Sequence, residues 1–244
     1  RYQEEIRREI GEVDAVIGTS AIDELPAVLD EVFSGRASDR YRSLDRKPLT
    51  DRKRILTTGG HFAYLKIAEG CDKHCTYCII PKVRGPYRSV PMENLLEEAE
   101  MLAGQGVKEL ILVAQETTVY GEDLYVYKAL PALLKKLCRI EGLCWIRILY
   151  CYPEEIDEAL IEVIGEEDKI CHYLDIPIQH ASDAVLKRMG RKTTGKELTE
   201  KVNLLRRKIP DICLRTTLIT GFPGETKEDH ETLLRFVEEM AFDR

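Results

Sequence analysis

Three cysteines, Cys71, Cys75 and Cys78, fall within the run GCDKHCTYC at the spacing C-x3-C-x2-C. Thiolates packed this densely are metal ligands first. Three of them can hold three irons of a 4Fe–4S cluster, which ordinarily takes four cysteines. No fourth cysteine lies nearby in sequence, so the fourth iron would be left to bind something other than protein. Structural zinc is the competing chemistry, and it wants four protein ligands, commonly as two separated pairs. His74 could be the fourth, but it directly precedes Cys75, and neighbouring side chains rarely both reach one small ion. A disulfide network is not expected in a chain with this much apolar sequence and nothing resembling a secretory signal.

The elements that would position this loop are legible in the alternation of apolar runs. FAYLKIA reads as a strand and leads directly into the cysteines. Four more strands follow: VKELILVAQ, CWIRILY, HYLDIPI and ICLRTTLIT. VKELILVAQ is nearly continuous in apolar residues, as in a parallel strand buried on both faces. Between the strands lie segments of helical periodicity: MENLLEEAEMLAGQ, LYVYKALPALLKKLCRI, EEIDEALIEVIGE and KELTEKVNLLRRKI, with a short helix from Asp183 to Met189. Pro131 either kinks the second of these or marks its true start. KEDHETLLRFVEEM is the last helix, and Phe242 opens an expected sixth strand. Repeated βα units imply a parallel sheet with right-handed crossovers, closed either as an open doubly wound sheet or as a barrel. Polar, chemistry-bearing segments follow the first, second, fourth and fifth strands, the last three being AQETTVYG, IQHAS and TGFPGET. Barrels build their sites from several βα loops at that face, so the expected fold is a partial (β/α)6 barrel.

Residues 1–35 read as helix, strand, helix, with Asp23 a candidate cap for the second helix. Residues 36–60 are polar and basic, and read as a solvated linker. The formal net charge of -7 argues against a strongly nucleic-acid-binding surface. No apolar run approaches the ~20 residues of a membrane span; no membrane partner and a cytoplasmic location are expected. Five cysteines lie outside the loop. Cys144 and Cys213, in or beside apolar runs, are expected to be buried, and Cys151 follows a strand and could face a site. Arg1 and the terminal AFDR read as cuts in a longer chain.

AYLKIAEGC, CIIPKVRG, QETTVYG, YLDIPIQHAS, KRMGRKTT and TLITGFPGET, in this order, resemble the radical S-adenosylmethionine methylthiotransferases, and within them the RimO family. The sister MiaB family tends to read GQNVNAY and LPVQSGS where this chain has AQETTVY and IPIQHAS. The resemblance implies a radical S-adenosylmethionine core over residues 61–244, cut short near its sixth strand. It implies that residues 1–35 are the tail of an N-terminal α/β domain, and that the TRAM domain has no counterpart here. The implied activity is transfer of a methylthio group to the β-carbon of an aspartate of ribosomal protein uS12. Alternatives are a tRNA adenosine substrate, a non-catalytic electron-transfer module and a zinc module. The implied cofactors are a 4Fe–4S cluster on Cys71, Cys75 and Cys78, which are metal ligands and catalytic residues alike, and S-adenosylmethionine on the open iron. One electron, from a donor such as flavodoxin or ferredoxin, would cleave S-adenosylmethionine to a 5′-deoxyadenosyl radical. A second 4Fe–4S cluster belongs to three upstream cysteines that residues 1–35 lack.

Tyr77 is implied near the adenine. Gln115, Glu116 and Thr117 close the second strand and are placed for the methionyl amine or ribose. Gln179 and His180 end the fourth. Arg215, a guanidinium in an apolar strand, needs an anion, either a cofactor or substrate carboxylate or an internal Asp or Glu. Glu225 or Thr226 is expected to cap the last helix rather than serve an anion site. Arg84 and Arg88 are either surface charges or steer an acidic substrate. Val90 stands where relatives often carry a second basic residue.

Overall fold

The computed structural model describes residues 2–48, 54–57 and 59–244; part of the expected linker, residues 49–53 and 58, lies outside them. The first unit contains α1 (Gln3–Glu9), β1 (Ala15–Ile17), α2 (Leu25–Phe33) and β2 (Ser38–Arg40). β1 and β2 pair in parallel, so the stretch expected to be wholly linker supplies a strand. Three of its described arginines are held in ion pairs. Arg40 pairs with Glu31 at 2.8 Å, Arg42 with Glu24 at 2.6 Å and Arg46 with Asp23 at 2.6 Å. Asp23 does not cap the second helix: the cap position is Glu24, with no side-chain cap bond, and α2 starts at Leu25 with Pro26 in its first turn.

The second unit runs β3 (Phe62–Lys66), β4 (Ala68–Glu69), α3 (Ile80–Arg84), β5 (Arg88–Ser89), α4 (Met92–Gly104), β6 (Glu109–Val113), α5 (Glu122–Tyr125), α6 (Leu130–Cys138), β7 (Trp145–Ile148), α7 (Glu158–Glu166), β8 (Ile170–Asp175), α8 (Asp183–Arg188), α9 (Gly195–Lys208), β9 (Cys213–Arg215) and α10 (Lys227–Met240). Five parallel strands lie side by side in chain order, β3-β6-β7-β8-β9. A doubly wound sheet reverses its order at a switch point; a barrel wall does not.

Burial makes the same distinction. Along β6, Leu110 and Leu112 are buried while Glu109, Ile111 and Val113 are half-buried. β3 and β7 alternate likewise, with Ala63, Leu65, Ile146 and Ile148 inside. The buried face packs under amphipathic helices: Met92, Leu95, Ala99 and Leu102 of α4, and Leu130, Leu133, Leu134 and Leu137 of α6, recur at helical spacing. The other face is the concave side of the wall. Both faces of VKELILVAQ are therefore not equally buried, contrary to the parallel-sheet expectation. The concave side is polar enough to tolerate water: Arg147 pairs with Glu109 at 2.6 Å and lies 5.1 Å over the Tyr173 ring.

Several boundaries shift for local reasons. Pro131 marks the start of α6, after Val126 has turned left-handed (φ 66) to end α5. β8 stops at Asp175, two residues short of Pro177. β9 covers only Cys213–Arg215, because the Thr216 hydroxyl donates to Ile176 O at 2.8 Å and the ladder resumes only as a bridge between Gln179 and Leu218. At the expected sixth strand, Asp243 N donates to Leu214 O at 3.0 Å and Thr216 N to Arg244 O at 2.9 Å, the beginning of a further rung beside β9. Cys144 is exposed and Cys213 half-buried, not buried as expected: Cys144 precedes the edge of β7 beside exposed Trp145, and Cys213 alternates onto the concave face.

Candidate active site

The cysteine loop leaves β3 and returns through β5, and the antiparallel pairing of β4 with β5 closes its neck. Further bonds lock that neck. Cys71 N donates to Gly85 O at 3.2 Å, Val90 N to Ile67 O at 2.8 Å, and Tyr87 N to Asp72 Oδ1 at 3.0 Å. Gly70 has φ +80, and a Cβ there would lie 2.1 Å from Pro86 O, so only glycine fits this crossing. The tip of the loop docks elsewhere. Thr76 N donates to Met189 O at 3.0 Å and its hydroxyl to Arg188 O at 3.0 Å, at the end of α8. The loop thus spans the C-terminal edge of the wall from β3 to the segment after β8.

Cys71 and Cys75 are 9 % exposed and Cys78 half-buried, all three as free thiols. Among the described residues, no three His, Cys, Asp or Glu side chains close round one point as a single ion requires. A cuboidal cluster has no such need, because each thiolate takes its own iron. Three thiols on one tethered loop, without a fourth protein ligand gathered to them, fit a 4Fe–4S cluster better than zinc. Burial pushes the Cys71 thiol up to about 11 in the metal-free chain, with Glu116, Cys75 and Cys78 adding to the rise; a cationic metal centre reverses that balance.

The residues expected around the cofactors fall into two groups. Gln115, Glu116 and Tyr77 lie against the loop. Gln115 Oε1 accepts from Gly70 N at 2.8 Å, which fixes the residue before Cys71. Glu116 is buried; its Oε1 accepts from Thr118 N at 2.9 Å and Tyr152 N at 3.4 Å, and its Oε2 has no partner. Desolvation raises its carboxyl to about 7. Tyr77 is 39 % exposed and meets Phe222 of the GFPGET turn edge to face at 6.4 Å, so the cysteine loop touches a second βα loop.

Thr117, Arg215 and Gln179 form the second group. The Thr117 hydroxyl donates to Leu149 O at 2.9 Å, joining the end of β6 to β7 inside the core. Arg215 has its anion within the chain, the carboxylate of Asp175 directly across the β8–β9 ladder. Gln179 takes φ 69 and is half-buried, with its backbone paired to Thr217 and Ile219. His180 is fully buried and lies 3.5 Å from Glu225, which also accepts from Phe222 N at 2.9 Å. These contacts staple the GFPGET turn to the end of β8. Thr226 caps α10 in a reciprocal box with Asp229. Arg84 lies 3.7 Å from Glu69, and Arg88 donates to Arg84 O at 3.0 Å; both belong to the neck. Val90 is buried in the core.

Sequence reasoning missed the loop after β7. Tyr152 directs its hydroxyl to Cys75 Sγ at 3.5 Å, and Arg191 and Lys73 flank its ring at 3.8 and 4.8 Å. CYPEE directly after a barrel strand was the available signal. The neighbouring Cys151 does not face the site: its thiol is fully buried beside Thr117 Oγ1 at 3.6 Å, and desolvation raises its pKa.

Comparison with known proteins agrees with this architecture. Over 244 residues the chain is 62% identical to a Lachnoclostridium phytofermentans protein named ribosomal protein uS12 methylthiotransferase RimO, covering all of this chain and 56% of that one. Its Acetivibrio thermocellus namesake is 51% identical over 251 residues, with 55% covered. The chain therefore spans about half the length of the curated relatives it matches. Among solved structures it resembles the radical S-adenosylmethionine methyltransferase TsrM from Kitasatospora setae, with TM-score 0.60 and 18% identity over 75% of this chain and 34% of that one. The cobalamin-dependent S-adenosylmethionine radical enzyme OxsB gives TM-score 0.58 at 18% identity, covering 72% and 26%. At such identities these likenesses speak to the fold alone. Residues 65–237, well over half of the chain, match the model of the Radical SAM superfamily, and the chain belongs to that superfamily.

Proposed function

We propose that this chain is the catalytic core of a methylthiotransferase that modifies an aspartate of ribosomal protein uS12. The supporting observation is identity of 62% across all 244 residues with a protein of that name, together with a three-cysteine loop that would leave one iron of a 4Fe–4S cluster without a protein ligand. In this reading Cys71, Cys75 and Cys78 hold a 4Fe–4S cluster and the open iron takes S-adenosylmethionine. The cluster, when bound, supplies the electron that cleaves the sulfonium. The chain's own part is positional. Gln115 and Gly70 fix where the loop begins, Thr76 fixes its tip on α8, and Tyr77 with Phe222 shields it from water.

The same reading takes residues 1–35 as the closing part of a larger α/β unit. The exposed apolar side chains Leu25, Leu29 and Phe33 along α2 support this. A second cluster would belong to that unit; no cysteine precedes Cys71 here. A one-electron donor such as flavodoxin or ferredoxin completes the reaction. No helix among the described residues is long and apolar enough to cross a membrane, and a reducing cytoplasm suits free thiols.

The test offers the full-length protein uS12 and tRNA separately, with S-adenosylmethionine, sulfide and a reductant. Mass spectrometry then reads the methylthio adduct. A methylthio aspartate on uS12 is expected. Modified tRNA with untouched uS12 overturns the substrate. Absence of 5′-deoxyadenosine in every arm overturns the radical chemistry.

A further inference from the structure

One side chain from outside the cysteine ligand set reaches a ligand sulfur, and two cations flank its ring. Tyr152, in the segment after β7, brings its hydroxyl to 3.5 Å from Cys75 Sγ. The Arg191 guanidinium lies 3.8 Å from the centre of the Tyr152 ring and the Lys73 ammonium 4.8 Å from it. Arg191 is held in place at a cost. Its side chain is 1 % exposed, and among the described residues its only ion pair is Glu154 at 3.3 Å and its Nε has no partner. Lys73 is pinned by Glu155, which also holds Lys128 at 2.8 Å.

Packing alone explains a cation stacked on a tyrosine ring. It does not explain why the ring's one polar atom is aimed at a sulfur, nor why a nearly dry guanidinium keeps an unused donor. A buried cation with incomplete pairing is costly unless a further anion stands nearby. A thiolate-ligated cluster is such an anion, and it gains one more negative charge on reduction. A hydroxyl donor on a ligand sulfur and nearby buried cations both stabilise the reduced form more than the oxidised one. Cations over the ring also withdraw electron density from the phenol and so strengthen its O–H as a donor.

We infer that Tyr152 is a positioning residue that hydrogen-bonds the Cys75 thiolate and, with Arg191 and Lys73 on its ring, raises the reduction potential of the cluster. The inference rests on the proposed ligation by Cys71, Cys75 and Cys78. It adds a control of when that centre accepts its electron.

The experiment is a redox titration of the reconstituted full-length protein, followed by electron paramagnetic resonance. The signal to follow is the one lost in the Cys71→Ala, Cys75→Ala, Cys78→Ala triple variant. If no signal is lost in that variant, the ligand assignment fails and this inference with it. Where the signal is assigned, Tyr152→Phe is expected to lower the reduced-to-oxidised ratio at a fixed potential about tenfold, a midpoint about 59 mV more negative for one electron. Arg191→Gln moves it in the same direction, and Arg191→Lys, which keeps the charge, moves it less. An unchanged midpoint in Tyr152→Phe overturns the inference. So does a Tyr152→Phe protein that folds with an unchanged melting temperature yet lacks the signal lost in the triple variant, since the hydroxyl would then serve assembly rather than potential.

Discussion

The side-chain oxygen of Gln115 accepts a hydrogen bond from the backbone N–H of Gly70 at 2.8 Å, tying the end of β6 to the residue before Cys71. Gly70 is buried, so its N–H has no water to fall back on. Gln115→Leu keeps the bulk and removes the acceptor. The expected cost is about 1–3 kcal/mol, the usual penalty for an orphaned buried donor. Iron retained per chain should fall with it. Denaturant titration and iron content measure the two effects, and wild-type values for both would show the bond to be incidental.

Gly70→Ala attacks the same place sterically. Its Cβ would sit 2.1 Å from Pro86 O and 2.6 Å from Gly85 O, at φ +80. Both obstacles are backbone, and moving them opens the β4–β5 neck. A loss of at least about 3 kcal/mol is expected, beyond the 1–3 kcal/mol of backbone strain alone. Gly106→Ala is the matched control. It also has positive φ (+98) but nothing within 4 Å, so strain acts there without collision. The difference between the two melting temperatures isolates the clash.

How far the sequence reveals this site depends on the type of interaction. The cysteine spacing and the strand before it are local patterns, and the fold preserves them. The same holds for Pro131 starting α6 and for Thr226 capping α10. Gln115 was legible as a polar residue at the end of a strand, but not as the acceptor for Gly70, because that bond joins residues 45 apart in sequence. Tyr152 was invisible for a similar reason: its meaning comes from Cys75 and Arg191, which reach it from two other βα loops. Arg215 showed a need for an anion without showing which one, and a one-rung ladder partner, Asp175, answered it.

Glu116 gives a pH dependence whose sign follows from its burial. Its carboxyl stands at about 7 when folded, against 4.5 as the ordinary value. The folded chain therefore holds that proton more tightly than the unfolded chain. Stability from this group is full below about pH 4.5 and falls as pH rises toward 7, by a total on the order of 3 kcal/mol. Glu116→Gln removes the titration. In the metal-free chain, its stability should vary less between pH 5 and pH 8 than the parent's, with the largest relative gain at pH 8. Parallel curves for the two proteins would mean that Glu116 stays ionised when folded.

The start of α10 separates a cap from a tether. Thr226→Ala removes the side chain that accepts from Asp229 N, a change worth about 1 kcal/mol at a helix N-terminus. Asp229→Ala removes more. That carboxylate receives the Ser182 hydroxyl and Thr226 N (3.0 Å), and lies 3.3 Å from Arg188. It thereby ties α10 to both ends of α8, and Arg188 O in turn holds the cysteine-loop tip through Thr76. Asp229→Ala is thus expected to destabilise more than Thr226→Ala and, unlike it, to loosen the loop and lower cluster retention. Hydrogen bonding from Ser182 holds the Asp229 carboxyl down at about 2, below its ordinary 3.8. Its contribution is complete above pH 3.8 and is lost as pH falls toward 2. The gap in stability between Asp229→Ala and the parent should therefore be constant from pH 7 to pH 5 and narrow as the solution is acidified below pH 4. Hydrogen exchange of the loop amides reads the second effect: faster exchange at Thr76 in Asp229→Ala but not in Thr226→Ala.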